Sequence, residues 1–231
     1  MLEQSQPQLI ASFFQTGTRT QFDKEEIIYD SKKNGSPVFM LESGYVKSYA
    51  ITSEGNYNVL CIYGPGSIFP LAPTLRANLG RSPYHLREMV YFEAIVAVEV
   101  YVQSADKLMK YLERHPEGYR ELVVSLINNY ELYLSRVEAS PLKHARQRLA
   151  YHLLVLAERF SSELYDQIII ELPLTHQDLA DSLGMARETI SRELEWLRRE
   201  DIVNAKDKHL IIKDQAQLRR IINPKPELRD S

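Results

Sequence analysis

Apolar and β-branched residues come in short runs through the first hundred positions and at helical spacing thereafter. Val38–Glu42, Tyr45–Ile51, Tyr57–Tyr63 and Val90–Val102 read as strands, and Asn34-Gly35, Ser43-Gly44, Glu54-Gly55 and Pro65-Gly66 punctuate them. Six of the nine glycines fall between Gly35 and Gly80, and only Gly184 lies beyond Gly118. Turn-rich sequence of that kind signals short strands with tight connections, and its absence later signals helices. Evenly spaced short strands predict a jelly-roll-like β-barrel, with a small helix over residues 5–15 ahead of it.

From about Pro116 to Ala139 the apolar positions Val123, Ile127, Tyr130, Leu134 and Val137 recur at helical spacing, and Leu122, Leu126 and Tyr133 add a second stripe. A helix apolar over so much of its circumference is buried on two sides. One side is expected against the barrel and the other against a partner subunit; the alternative is an ordinary core helix of a monomer. Ser140-Pro141 then breaks the pattern. Serine caps helices and proline is tolerated at the first helical position, so a new helix is expected there. Its buried stripe would be Leu142, Ala145, Leu149, Leu153, Leu156 and Phe160. The expected division is residues 1–115, a sensory barrel; 116–139, a dimerisation helix; and 140–231, a separate C-terminal domain.

The chemistry is concentrated in Leu174–Asp214. Thr175 with Asp178 three residues on resembles a capping box. The helix it opens buries Leu179, Ala180 and Leu183, and Gly184 sits where a helix must stop and turn. In the second helix Ala186, Ile190, Leu194 and Leu197 are expected to face inward, while Arg187, Glu188, Ser191, Arg192, Glu195 and Arg199 project outward. Two short helices joined by a glycine turn, the second presenting arginines, suit the DNA major groove. An arginine fork pairs with guanine O6/N7, and a carboxylate accepts from cytosine N4. The competing reading is a solvated surface helix with a Glu188–Arg192 i, i+4 pair. Beyond it, Asp201–Asn204, the charged turn Ala205–Lys208 and His209–Ile212 read as a two-stranded wing with Lys206 and Lys208 at its tip. Asp214 caps a final helix. Lys143, Arg146 and Arg148 give the linking helix a positive end, as phosphate contacts demand.

Charge refines this picture. The net charge is −3, with 13 Lys/Arg against 16 Asp/Glu in residues 1–139 and 15 of each in residues 140–231, so any basic footprint is local. The single cysteine, Cys61, cannot build an iron–sulfur or structural zinc site and reads as a buried strand residue. No cofactor or metal is expected. The first residues lack the pattern of a signal peptide, and no run approaches ~20 apolar residues; a soluble, cytoplasmic protein is expected. An enzyme of cupin type would need a histidine triad, whereas His85 stands alone in the barrel region before His115. His144 and His152, eight apart on the linking helix, suggest a surface or interface role. No P-loop, dinucleotide fingerprint, HExxH or GxSxG occurs, so no enzyme activity is expected. The remaining rival is a ligand-binding module whose helix pair contacts only protein.

The run Leu174-Thr175-His176-Gln177-Asp178-Leu179-Ala180 through Gly184-Met185-Ala186-Arg187-Glu188-Thr189-Ile190-Ser191-Arg192 resembles the cyclic-AMP receptor protein/Fnr (Crp/Fnr) family of bacterial transcription regulators. The resemblance covers almost the whole chain in order. It implies an α+β fold: an N-terminal cyclic-nucleotide-binding-type β-barrel (jelly roll), a long dimerisation helix and a C-terminal winged helix-turn-helix. It further implies a homodimer on a palindromic double-stranded DNA site whose half-sites contain TGA, with RNA polymerase as a further partner if the protein activates. Arg187, Glu188, Ser191 and Arg192 would touch bases and Thr175 and Gln177 the backbone; Thr189 and Lys206 complete the DNA-facing set. The sensory half departs from the family pattern. Pro65-Gly66-Ser67-Ile68 is followed by Phe69-Pro70-Leu71, where cyclic-nucleotide binders carry a Gly-Glu pair. Arg81-Ser82 occurs, but Pro83 follows it. Leucine cannot accept a ribose hydroxyl and proline removes a backbone donor, so the effector is expected not to be cyclic AMP. The alternative is a cyclic-nucleotide-responsive regulator with a divergent cassette.

Overall fold

The computed structural model describes residues 8–32, 36–51, 55, 57–71, 74–75, 89–164 and 167–223. The chain divides into two compact units, Met1–Glu131 and Leu132–Ser231.

The first unit begins with α1 (Gln8–Gln15), followed by β1 (Thr18–Phe22), β2 (Ile27–Asp30), β3 (Pro37–Ser43), β4 (Val46–Ile51), β5 (Tyr57–Tyr63), β6 (Ile68–Phe69), β7 (Met89–Ala94), β8 (Val98–Ser104) and α2 (Ala105–Arg114). Two antiparallel four-stranded sheets form, in the orders β1-β8-β3-β6 and β2-β7-β4-β5. Phe39, Tyr63, Phe69 and Phe92 pack between them with ring centroids 5.2–5.5 Å apart. The expected single strand Val90–Val102 is two strands in different sheets. The chain leaves the first at Ala94, where the Ile95 N–H bonds the Tyr45 carbonyl, and joins the other at Val98. Both pieces bury apolar residues, so periodicity shows no seam. A second core gathers Ile10, Phe13, Phe14, Val38, Met40, Ile68 and Leu71 with Leu108, Leu112 and Leu122. Cys61 is buried in β5, as expected.

Helix α3 (Gly118–Ala139) carries the two stripes that the sequence predicts. Leu122 is buried in the core just described and Leu126 packs against it. The Glu121 carboxylate accepts from the Leu9 and Ile10 backbone N–H groups at 3.3 and 2.9 Å. The other stripe is open: Val123, Ile127, Tyr130 and Val137 are 51%, 48%, 62% and 65% exposed.

The second unit contains α4 (Ala145–Phe160), β9 (Ser161–Leu164), β10 (Gln167–Ile170), α5 (His176–Leu183), α6 (Arg187–Arg199), β11 (Val203–Lys206), β12 (His209–Ile212) and α7 (Gln215–Ile222). The helix expected from Ser140-Pro141 starts at Ala145 instead. The Ser140 and Leu142 N–H groups bond the Val137 and Ala139 carbonyls, which closes α3 in a turn, and Gln147 Oε1 accepts from the His144 N–H at 3.3 Å. Leu149, Leu153, Leu156 and Phe160 are buried along α4 as expected. The wing is also larger than two strands: β11-β12-β10-β9 form one antiparallel sheet. The apolar run Ile168–Ile170 is too short to announce itself in the sequence. Asp214 caps α7, accepting from the Gln217 N–H at 2.8 Å.

Candidate nucleic-acid interface

Thr175 and Asp178 close a reciprocal capping box at the start of α5. The Asp178 N–H donates to the Thr175 hydroxyl at 3.1 Å, and the Thr175 N–H donates to the Asp178 carboxylate at 2.9 Å. Gly184 ends the helix in the left-handed region (φ 59°), where a side chain would be strained, and its N–H bonds the Ala180 carbonyl. One turn later α6 begins. Ala186, expected to face inward, is the exposed N-cap residue and brings no side-chain cap. Leu179, Ala180 and Leu183 of α5 and Ile190, Leu194 and Leu197 of α6 are buried.

Arg187, Glu188 and Arg192 are exposed on α6, and Thr189 and Ser191 are half-buried. Glu188 has no hydrogen-bond or ion-pair partner among the described residues, so the Glu188–Arg192 pair of a salt-bridged surface helix is not formed. Arg192 instead approaches Glu193, Nε to Oε1 3.4 Å, with 70% of its side chain exposed. His176 Nδ1 lies 2.8 Å from Ser191 Oγ and fastens α5 to α6. Burial holds the His176 pKa below the ordinary histidine value, and the Arg198 and Arg187 charges push the same way.

Behind this surface lies an ion pair that helical spacing did not reveal. Glu193 is buried, and Arg146 reaches it from α4 with Nε 2.9 Å from Oε2. The same guanidinium lies 3.6 Å from the centroid of the Trp196 ring, and Arg148 donates to the Leu183 carbonyl at 2.6 Å. Both arginines, expected to give the linking helix a positive end, are thus engaged inside the unit; Lys143 is exposed. His152, expected at a surface or interface, has its Nε2 shut off from solvent without a hydrogen-bond partner among the described residues, and burial, then the Arg136 charge, lowers its pKa to about 4. His176, Glu193 and Trp196 escaped the sequence reading because their partners lie on other helices.

In the wing, Asp207 and Lys208 take positive φ (50° and 69°), as the two central residues of a tight hairpin turn do. Lys206 and Lys208 are exposed there. Thr175 and Gln177 are exposed as well, the Gln177 amide donating to Asp181 at 2.7 Å. In the barrel Leu71 is buried core; Arg81 and Ser82 lie outside the described residues, as does His85.

A paired-helix motif with a basic exposed helix and a lysine-tipped wing defines a DNA-binding regulator of winged helix-turn-helix type. Residues 147–221 match the Crp-like helix-turn-helix domain family. The chain is 26% identical over 196 residues to electron transport regulator A of Shewanella oneidensis, covering 80% of this chain and 72% of the relative. It is 25% identical over 209 residues to the fumarate and nitrate reduction regulatory protein of Yersinia pestis, covering 89% and 79%. A CooA mutant from Carboxydothermus hydrogenoformans superposes with a TM-score of 0.72 at 22% identity, covering 91% of this chain and 90% of that one. The chain carries a Crp-like helix-turn-helix in its C-terminal unit and is a transcription regulator similar to those of the Crp/Fnr type. Among the described residues no helix is long and apolar enough to cross a membrane.

Proposed function

We propose that the protein binds a pseudo-palindromic DNA site as a homodimer, with α6 in the major groove and the wing on the flanking phosphates. The observation that carries this reading is Glu188: an exposed carboxylate between Arg187 and Arg192, without a partner among the described residues. A carboxylate there weakens attraction to phosphate, and its use is to accept from a cytosine amino group while Arg192 forks onto the paired guanine. Arg187 reads a further guanine, and Ser191, tied to His176, discriminates weakly. Thr175, Gln177, Thr189 and Lys206 face the backbone, and the uncapped N–H groups opening α6 favour phosphate. The open stripe of α3 supports dimerisation, since Val123, Ile127, Tyr130 and Val137 form one contiguous apolar face. Such a dimer presents two recognition helices to half-sites about one helical turn apart, ~10–11 bp.

The sensory barrel is read as responding to something other than cyclic AMP. Leu71, at the position where a ribose-binding carboxylate would stand, is spent on the core with Ile10 and Phe13. The protein is read as cytoplasmic, without enzyme activity or a bound cofactor, and RNA polymerase is a partner if it activates. Selection from a pool of random duplexes tests the main reading. An inverted repeat of the stated spacing should be enriched, and enrichment of no motif, or of a lone half-site, would contradict it.

A further inference from the structure

His176 opens α5 directly after the Thr175 cap, and its half-buried ring crosses to the middle of α6, with Nδ1 2.8 Å from Ser191 Oγ. Ser191 stands one turn beyond Arg187 and Glu188 and directly before Arg192, on the face that these residues share. It is only half-buried, so a hydroxyl paired on one side with the ring has a second side to offer a base. A hydroxyl has one proton and two lone pairs. If Nδ1 carries the ring proton, it donates to Oγ and leaves the serine proton for guanine N7 or O6 or for thymine O4. If Nδ1 is bare, the serine proton goes to it, and only lone pairs remain for an adenine or cytosine amino group.

We propose that His176 is a positioning residue for base reading: through the Ser191 hydroxyl it decides whether α6 donates or accepts at the base edge that Ser191 faces. The proposal rests on the reading that places α6 in the major groove. A neutral imidazole has two tautomers and permits either sense, which is why Ser191 discriminates weakly. An imidazolium carries a proton on both nitrogens, so Nδ1 can only donate, and Ser191 becomes a donor to the base. The charges around the ring make its protonation respond to DNA. Burial, then the Arg198 and Arg187 charges from α6, hold its pKa below the ordinary value in the free protein. On its own helix Asp178 is turned to the Thr175 cap, and from α4 Arg148 meets α5 at the far end, on the Leu183 carbonyl. Phosphates brought against the arginines offset their field and raise the pKa of the ring in the complex. A group whose pKa rises on binding strengthens binding as pH falls through its value in the complex, and the gain levels off below its value in the free protein.

The test uses the full chain and the duplex that selection enriches, with the half-site position most sensitive to Ser191→Ala set in turn to each base pair. From about pH 8 to about pH 6, parent affinity for the matched duplex should rise several-fold and its salt slope should steepen by about one unit. Preference at the chosen position should move toward guanine or thymine and away from cytosine. His176→Asn keeps a polar partner at the Nδ1 position but does not titrate, so these changes should vanish. In Ser191→Ala the salt slope should still steepen while base preference stays fixed, which separates the part of the hydroxyl from that of the added charge. Trp196 fluorescence reports that each variant is folded, and His176→Gln replaces the asparagine variant if that one is not. The inference is overturned if base preference of the parent does not move with pH, or if His176→Asn moves it as the parent does. A parent that binds no specific duplex sinks the DNA-binding reading itself; a specific parent whose preference ignores pH and His176 sinks this inference alone.

Discussion

Arg146 and Glu193 are 47 residues apart in sequence and meet at 2.9 Å, with the Arg146 guanidinium stacked on Trp196 one turn further along the same helix. One side chain of α4 therefore fixes the rotation of α6 about its axis. The buried Ile190, Leu194 and Leu197 stripe says which face of α6 is inward; the ion pair holds that face in register. The exposed face then presents Arg187, Glu188 and Arg192 together.

Arg146→Ala should therefore destabilise the C-terminal unit by about 2 kcal/mol, less than the ~3–5 of a fully buried pair because Arg146 is partly exposed. Arg146→Lys should keep the charge and lose the planar stacking, at roughly half that cost. Trp196 is the only tryptophan of the chain, so its fluorescence during urea unfolding reads this unit selectively. Unchanged midpoints in both variants would mean that the pair does not hold the helix.

His152 makes stability depend on pH. Its folded pKa of about 4 lies below the unfolded value near 6.5, so between these pH values the unfolded chain binds the extra proton. The contribution is complete above pH 6.5 and is lost as pH falls toward 4, with a slope of at most ~1.4 kcal/mol per pH unit. His176, also depressed, adds a loss of the same sign. His152→Gln should flatten the dependence of the Trp196 unfolding midpoint over this window; an unaltered profile would show that His152 is not the titrating group.

The open stripe of α3 should be covered in solution. Light scattering at micromolar concentration is expected to give twice the 26.8 kDa of one chain. Tyr130→Glu, at a position 62% exposed in the single chain, should return the mass to that of a monomer and weaken operator binding at the same time. A parent protein already monomeric, or a dimer indifferent to Tyr130→Glu and Leu134→Glu, would place the contact elsewhere.

Local features were legible because local physics sets them. The Thr175–Asp178 capping box, the Gly184 turn and the Asp214 cap each depend on residues a few positions apart, and all three appear where spacing predicts them. The polar strand Thr18–Phe22 was not legible, since only its pairing with β8 makes Thr-Arg-Thr-Gln-Phe a strand. Nor was the Ala94–Val98 corner, where an unbroken apolar run changes sheets without glycine or proline. Within the candidate interface, exposure of Arg187, Glu188 and Arg192 followed from helical phase. The inward engagement of Arg146 and Arg148 did not, because it depends on how three helices pack, which no periodicity along one of them encodes.

The base-reading role of α6 is tested most directly by comparing Glu188→Ala with Lys206→Ala on a matched duplex and on one altered at a single G·C pair of the half-site. Glu188→Ala should relax discrimination at that pair by ~1–3 kcal/mol while leaving affinity for mismatched DNA equal or higher, because a charge repelling phosphate is gone. Lys206→Ala should weaken both duplexes nearly equally and reduce the salt slope by about one unit. If the two variants shift matched and mismatched binding in the same proportion, α6 does not read bases through Glu188 and the account of the interface is wrong.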